Sequence, residues 1–163
     1  MQESLFEETT KPEAIKHHRL NRVTIQMVKD GSVDYVAERF TAPAQTAAAY
    51  CAMVGLPDRE IMAVLMLDGK NRITSIHRVS EGSLNQSIVH PREVFKAAIL
   101  ANSAAIILCH NHPTGDTTPS SEDISITRRL KESGEILGIK VLDHIIVNTE
   151  TGEYLSFIER GLI

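Results

Sequence analysis

Two histidines, His110 and His112, stand two residues apart, followed by a Pro-Thr-Gly loop (113–115), Ser120 and Asp123. These are zinc-ligand side chains at a spacing that could close around one ion. The run Ala104-Ala105-Ile106-Ile107-Leu108-Cys109 leads straight into His110 and reads as a buried strand. Strand residues i and i+2 share a face. Both imidazoles can therefore aim at one point if the extended conformation carries through Asn111. Two His and one Asp leave a fourth zinc position for water, the pattern of a catalytic rather than a structural site.

The carboxylate comes from a helix start. Ser120 is a good N-cap, Asp123 falls three residues inside, and Ile124, Ile126, Thr127 and Leu130 continue at helical spacing. Ser-x-x-Asp alone is more often a helix cap and nothing else. After His-x-His and a short Gly/Pro loop it turns a third ligand type back toward the histidines. Hydrolysis also needs a group to move protons, and Glu60, at the mouth of the apolar strand Ile61-Met62-Ala63-Val64-Leu65, is the candidate. Position alone leaves open whether Glu60 is that base or a solvated strand end.

The elements that must hold these residues alternate along the chain. Arg22–Lys29 and Val33–Arg39 read as strands joined by Asp30-Gly31, a hairpin signal. A helix follows, capped by Thr41, with Pro43 in its first turn and Gly55 at its end. Strands over 60–67 and 72–79 come next, then a loop over 82–85. A helix opening at His90-Pro91 runs to about Asn102, and the strand over 104–109 follows it. The third helix spans Ser121–Leu137, closed by Gly138, and strands over 140–148 and 154–157 finish the chain. This β-β-α-β-β-α-β-α-β-β order predicts an α/β chain with a central mixed sheet flanked by helices. Residues 1–20 read as a flexible arm and 21–163 as a single domain.

A chain of 163 residues has room for a real core, and aromatics at 4% make that core aliphatic. No apolar run is long enough to cross a membrane and no signal peptide is evident, so a membrane partner is not expected. Cys51 and Cys109 read as two buried thiols in a reducing cytoplasm. A net charge of −4 argues against a strong hold on DNA. Arg128, Arg129 and Lys131 read as a solvated helix face, as does the cluster Lys16-His17-His18-Arg19 as a solvated loop. His144 is read first as a structural histidine at a strand end, with a contact to the site as the alternative. His90 reads as a neighbour of a helix cap and His77 as a solvent-side strand residue. The nucleobase deaminase pattern (His-x-Glu with Pro-Cys-x-x-Cys) and His-Glu-x-x-His are absent.

Glu60 before an apolar strand, then His110-x-His112, Ser120 and Asp123, resembles the JAMM signature of JAB/MPN-domain zinc metalloproteases. A closer resemblance is to the RadC family. It is carried by His110-Asn111-His112-Pro113-Thr114-Gly115, Val89-His90-Pro91-Arg92-Glu93, Leu142-Asp143-His144-Ile145-Ile146-Val147 and Leu155-Ser156-Phe157-Ile158-Glu159-Arg160-Gly161. It covers roughly residues 40–163. Thr114 replaces the family's usual serine, and the chain has no room for the helix-hairpin-helix segment of longer members. The resemblance implies a JAB/MPN-like (cytidine-deaminase-like) architecture. It implies one Zn2+ on His110, His112 and Asp123, Glu60 as general base then acid, and Ser120 as a hydrogen-bond donor to the oxyanion. It also implies hydrolysis of peptide or isopeptide bonds in a peptide or protein substrate. A DNA-repair accessory role with nucleic acid as partner is the weaker alternative. Nothing in the sequence specifies the oligomeric state.

Overall fold

The strand β1 (Ile61–Leu67) reads Ile-Met-Ala-Val-Leu-Met-Leu, and every one of its side chains is buried. A strand apolar toward both sides must be covered on both faces. The computed structural model, which describes residues 19–34, 39–82 and 89–163, supplies both covers. On one face Met62, Val64 and Met66 pack with Ile106 and Leu108 beneath Val94, Phe95, Ala98 and Leu130. On the other, Ala63, Leu65 and Leu67 pack with Ile107, Cys109 and Ile145 beneath Ala47, Ala49 and Tyr50. The first cover is two helices, α2 (Pro91–Leu100) and α3 (Ser121–Leu137), and the second is α1 (Pro43–Val54).

The sheet holds β1, β2 (Ile73–Glu81), β3 (Ala105–His110), β4 (Lys140–Val147) and β5 (Tyr154–Ser156), in the order β2-β1-β3-β4-β5. β1 is antiparallel to β2 and β3, β3 is parallel to β4 through the α3 crossover, and β5 returns antiparallel to β4. The mixed α/β sheet flanked by helices agrees with the sequence reading and with the JAB/MPN fold.

The ends of α3 fall where the sequence puts them. Ser120 caps its start, and Gly138 closes it in the left-handed conformation at φ 72°, where a side chain is strained. Gly134 is needed for a different reason: a Cβ there would stand 2.4 Å from the carbonyl oxygen of Ile139. That contact seats α3 against the entry to β4.

Three expectations change. Arg22–Lys29 forms no strand, and residues 19–34 have no secondary structure. The apolar alternation is present, but Val23 and Ile25 stay more than 70% exposed. A hairpin signal is local, whereas a two-stranded ribbon is marginal until one face is buried. The second half of that hairpin includes 35–38, outside the described residues, as do 1–18 and so most of the expected arm, and Lys16, His17 and His18. The start of α1 is capped at Ala42, not Thr41, because the Gln45 side chain accepts hydrogen bonds from the backbone N–H of both. The second helix ends at Leu100 because Asn102 enters a positive φ of 51°. Among the described residues no helix is long and apolar enough to cross a membrane.

Candidate metal centre

The antiparallel register of β1 and β3 pairs Met62 with His110. The first residues of β1 and the last of β3 therefore share one edge of the sheet, which is the placement the base assignment requires. Glu60, just before β1, brings Oε1 to 3.7 Å from His110 Nε2. β3 ends at His110, yet the chain stays open enough for His112 Nε2 to lie 3.1 Å from His110 Nε2. The N-terminus of α3 delivers the carboxylate, with Asp123 Oδ1 at 3.2 Å from His110 Nε2 and Oδ2 at 3.3 Å from His112 Nε2.

The helix cap aims that carboxylate. Asp123 N–H donates to Ser120 Oγ at 3.1 Å, while Ser120 N–H and Oγ–H both donate to Asp123 Oδ2, at 2.8 and 2.7 Å. Oδ1 is buried and accepts no hydrogen bond among the described residues. His112 presents Nδ1 to the carbonyl of Asp116 at 2.7 Å. A carbonyl only accepts, so in the neutral ring the Nε2 lone pair faces the cluster. His110 and Asp123 are fully buried, and Glu60 and His112 keep side-chain exposures of 11% and 19%. The cluster thus opens on the Glu60 and His112 side. Next to it a cavity of about 160 Å³ runs between His112–Gly115 and Leu56, Pro57 and Asn148–Glu150.

The donors of Glu60, His110, His112 and Asp123 lie within 4.8 Å of one another. The edge of a tetrahedron with bonds of about 2.0–2.1 Å is about 3.3–3.4 Å. Separations of 3.1 and 3.2 Å from His110 Nε2 to the other two donors are close to that edge. Buried lone pairs packed so closely repel unless a proton or a cation lies among them. The cluster could hold a metal ion. Its electrostatics agree: burial raises the Asp123 carboxyl, but the flanking His110 and His112 rings and the Ser120 hydroxyl more than offset this and hold it well below the usual carboxylate range. The Asp123 carboxylate in turn raises the His112 imidazole.

Around this core stand further polar residues, of which the sequence reading weighed only His144 as a contact to the site. His144, read first as structural, places Nε2 2.8 Å from His110 Nδ1, and its own Nδ1 meets Thr127 Oγ1. Burial holds the His144 ring well below the usual imidazole range, which favours its neutral form. One signal could have found Thr127: it lies four residues after Asp123, on the same face of the helix. Asn111, the middle residue of His-x-His, is 2% exposed. Its Oδ1 accepts from Ile61 N–H at 3.0 Å and contacts Tyr50 Oη at 2.7 Å, and its Nδ2 donates to the carbonyl of Arg59 at 3.1 Å. Asn111 thus clamps the two residues flanking Glu60. The remaining expectations away from the site hold in part. Arg128, Arg129 and Lys131 are exposed among the equally exposed Glu132 and Glu135, and His77 is exposed on β2. His90 is itself the α2 cap residue. Cys51 and Cys109 are free thiols, Cys109 buried and Cys51 half-buried.

Fold and site together define a mixed α/β domain with a buried Glu/His/His/Asp cluster able to hold a metal. Residues 40–162 match the model of the RadC-like JAB domain. The chain is 62% identical over 126 residues to a UPF0758 protein of Pelobacter propionicus, across 77% of this chain and 54% of that protein. It is 58% and 59% identical to UPF0758 proteins of Geotalea uraniireducens and Trichlorobacter lovleyi, with the same coverage. The chain belongs to the RadC-like JAB domain family. It spans about half the length of the curated relatives it matches.

Proposed function

We propose that the chain is a zinc-dependent metallohydrolase that cleaves amide bonds, either peptide or isopeptide, in a protein or peptide substrate. One observation carries the reading. Glu60 stands 3.7 Å from His110 Nε2, with His112 at the side where the cluster opens, and with His110 and Asp123 buried behind them. A carboxylate placed so can take a proton from a water in the cluster's opening and hand it to a leaving amine on the same side.

His110, His112 and Asp123 would hold the ion. Zinc, when bound, lowers the pKa of a ligated water from about 15.7 to about 7 and polarises a carbonyl. The chain does the rest. Glu60 Oε1 accepts the water's proton and later donates it to the nitrogen of the scissile bond. Asp123 is kept ionised and fixed in rotamer by two hydrogen bonds to Oδ2. The Ser120 hydroxyl now donates to Asp123, so stabilising an oxyanion requires that it turn toward the opening. The backbone N–H of Ser120 keeps the carboxylate in place while it does. The cleft along His112–Gly115 lies against His112 and would take the part of a peptide next to the cluster.

The test is metal content of the purified protein beside His110→Ala, Asp123→Ala and Glu60→Gln. One zinc per chain in the wild type and in Glu60→Gln, and little in the other two, is the expected result. Equal zinc in all four ends the proposal. Peptide and isopeptide libraries, with Glu60→Gln as the inactive control, then read the bond class.

A further inference from the structure

We infer that His144, through Thr127, is a positioning residue that fixes the tautomer of His110 so that its Nε2 lone pair points into the cluster. The inference rests on the metal reading above and deepens it. The argument is proton accounting along a buried chain of contacts. Thr127 lies inside α3, and its hydroxyl donates to the carbonyl of Asp123 one turn earlier. A hydroxyl has one proton, so toward His144 Nδ1 the same oxygen must accept, and His144 carries its proton on Nδ1. His144 Nε2 is then a lone pair, and the contact at 2.8 Å is completed only by a proton on His110 Nδ1. One proton on a neutral imidazole leaves Nε2 bare, the form a metal ligand needs. Had Thr127 donated to the ring instead, every bond would reverse and His110 would present Nε2–H to the cluster. The helix carbonyl selects between the two.

This chain also explains a polar residue inside an apolar strand. His144 is fully buried, its ring 4.7 Å from that of Phe157, and it pairs in register with Leu108 two residues before His110. The same helix turn thus supplies one ligand side chain, Asp123, and by its backbone carbonyl sets the protonation pattern of another.

The readout is zinc affinity by competition with a chromophoric chelator, on the full chain, for wild type, His144→Leu, His144→Gln, Thr127→Val and Thr127→Ser. His144→Leu and Thr127→Val should weaken zinc binding by about 10–100-fold. Glutamine can accept from His110 Nδ1–H and serine restores the hydroxyl, so both should stay nearer to the wild type. Nitrogen shifts of the His110 ring in the zinc-loaded wild type should show Nδ1 protonated and Nε2 bound. Wild-type affinity in both His144→Leu and Thr127→Val overturns the inference, and so does a ring bound through Nδ1. Equal losses in the leucine and glutamine variants with Thr127→Val unaffected mark a packing role and overturn it too. Should His144→Leu fail to fold, the near-isosteric Thr127→Val decides alone. A wild type that binds no zinc removes the metal reading itself, whereas a wild type that binds zinc no better than the variants removes only this inference.

Discussion

Asn111→Ala should be among the costliest single substitutions near the site, although Asn111 ligates nothing. Its amide bridges the His110–His112 stretch to both neighbours of Glu60: Ile61 N–H and the Arg59 carbonyl. Truncation leaves Ile61 N–H, at the start of a fully buried strand, with no acceptor. A buried group left unsatisfied costs about 1–3 kcal/mol. Adding the Arg59 carbonyl and the lost packing gives about 3–5 kcal/mol. Against a typical stability of about 5–15 kcal/mol, the variant would be marginal. Tyr50→Phe should cost less, about 1 kcal/mol. Its single phenolic proton serves two acceptors, the Ile61 carbonyl and Asn111 Oδ1, each at 2.7 Å. The two changes share partners, so their costs should not add. Urea unfolding of both single variants and the double variant, at unchanged m-value, measures all three terms. A loss below about 1 kcal/mol for Asn111→Ala would refute the clamp.

Asp143 gives a pH prediction. Burial raises its carboxyl above the usual value, although Ser156 Oγ–H and the N–H groups of His144 and Ile158 donate to it. A carboxyl whose folded pKa lies above its unfolded value favours folding most below the unfolded value, near 3.9, and loses that contribution as pH rises through the folded value. Asp143→Asn can keep the two N–H bonds on Oδ1 and meet Ser156 with the roles reversed, Nδ2 donating to Oγ. Without the charge its thermal stability relative to wild type should increase from about pH 3 toward neutrality; a pH-independent difference contradicts it. Ser120→Ala removes the side-chain cap of α3 but not the Ser120 N–H bond to Asp123. It should lose about 1 kcal/mol of stability and retain zinc, as denaturation and metal analysis will report.

The parts of this molecule written locally could be read from the sequence. The α3 cap, its Gly138 terminus and the apolar runs of β1 and β3 rest on near-neighbour chemistry, and they place His110, Asp123 and the mouth of β1 in the right elements. What the sequence left open or missed depends on register. His144 comes beside the site because β3 and β4 pair in parallel with an irregularity between Ile106 and Ile107, after which Ile107 faces Asp143. No spacing within β4 announces such a slip. Tyr50 and Asn111 meet across elements far apart in the sequence, so only the folded sheet shows them as partners. The strand over 22–29 failed for the opposite reason: its local signal was present, but Val23 and Ile25 found no surface to cover among the described residues.

The division of the cluster between near and distant chain has a consequence for how it assembles. His110, His112 and Asp123 come from one short stretch, a loop whose closure entropy is small. Glu60 joins them only when β1 docks along β3, a contact between remote parts of the chain that forms late by the same entropy argument. On the proposed function, a nascent or partly melted chain would therefore capture an ion before it could turn over a substrate, so loading and competence would be separate events.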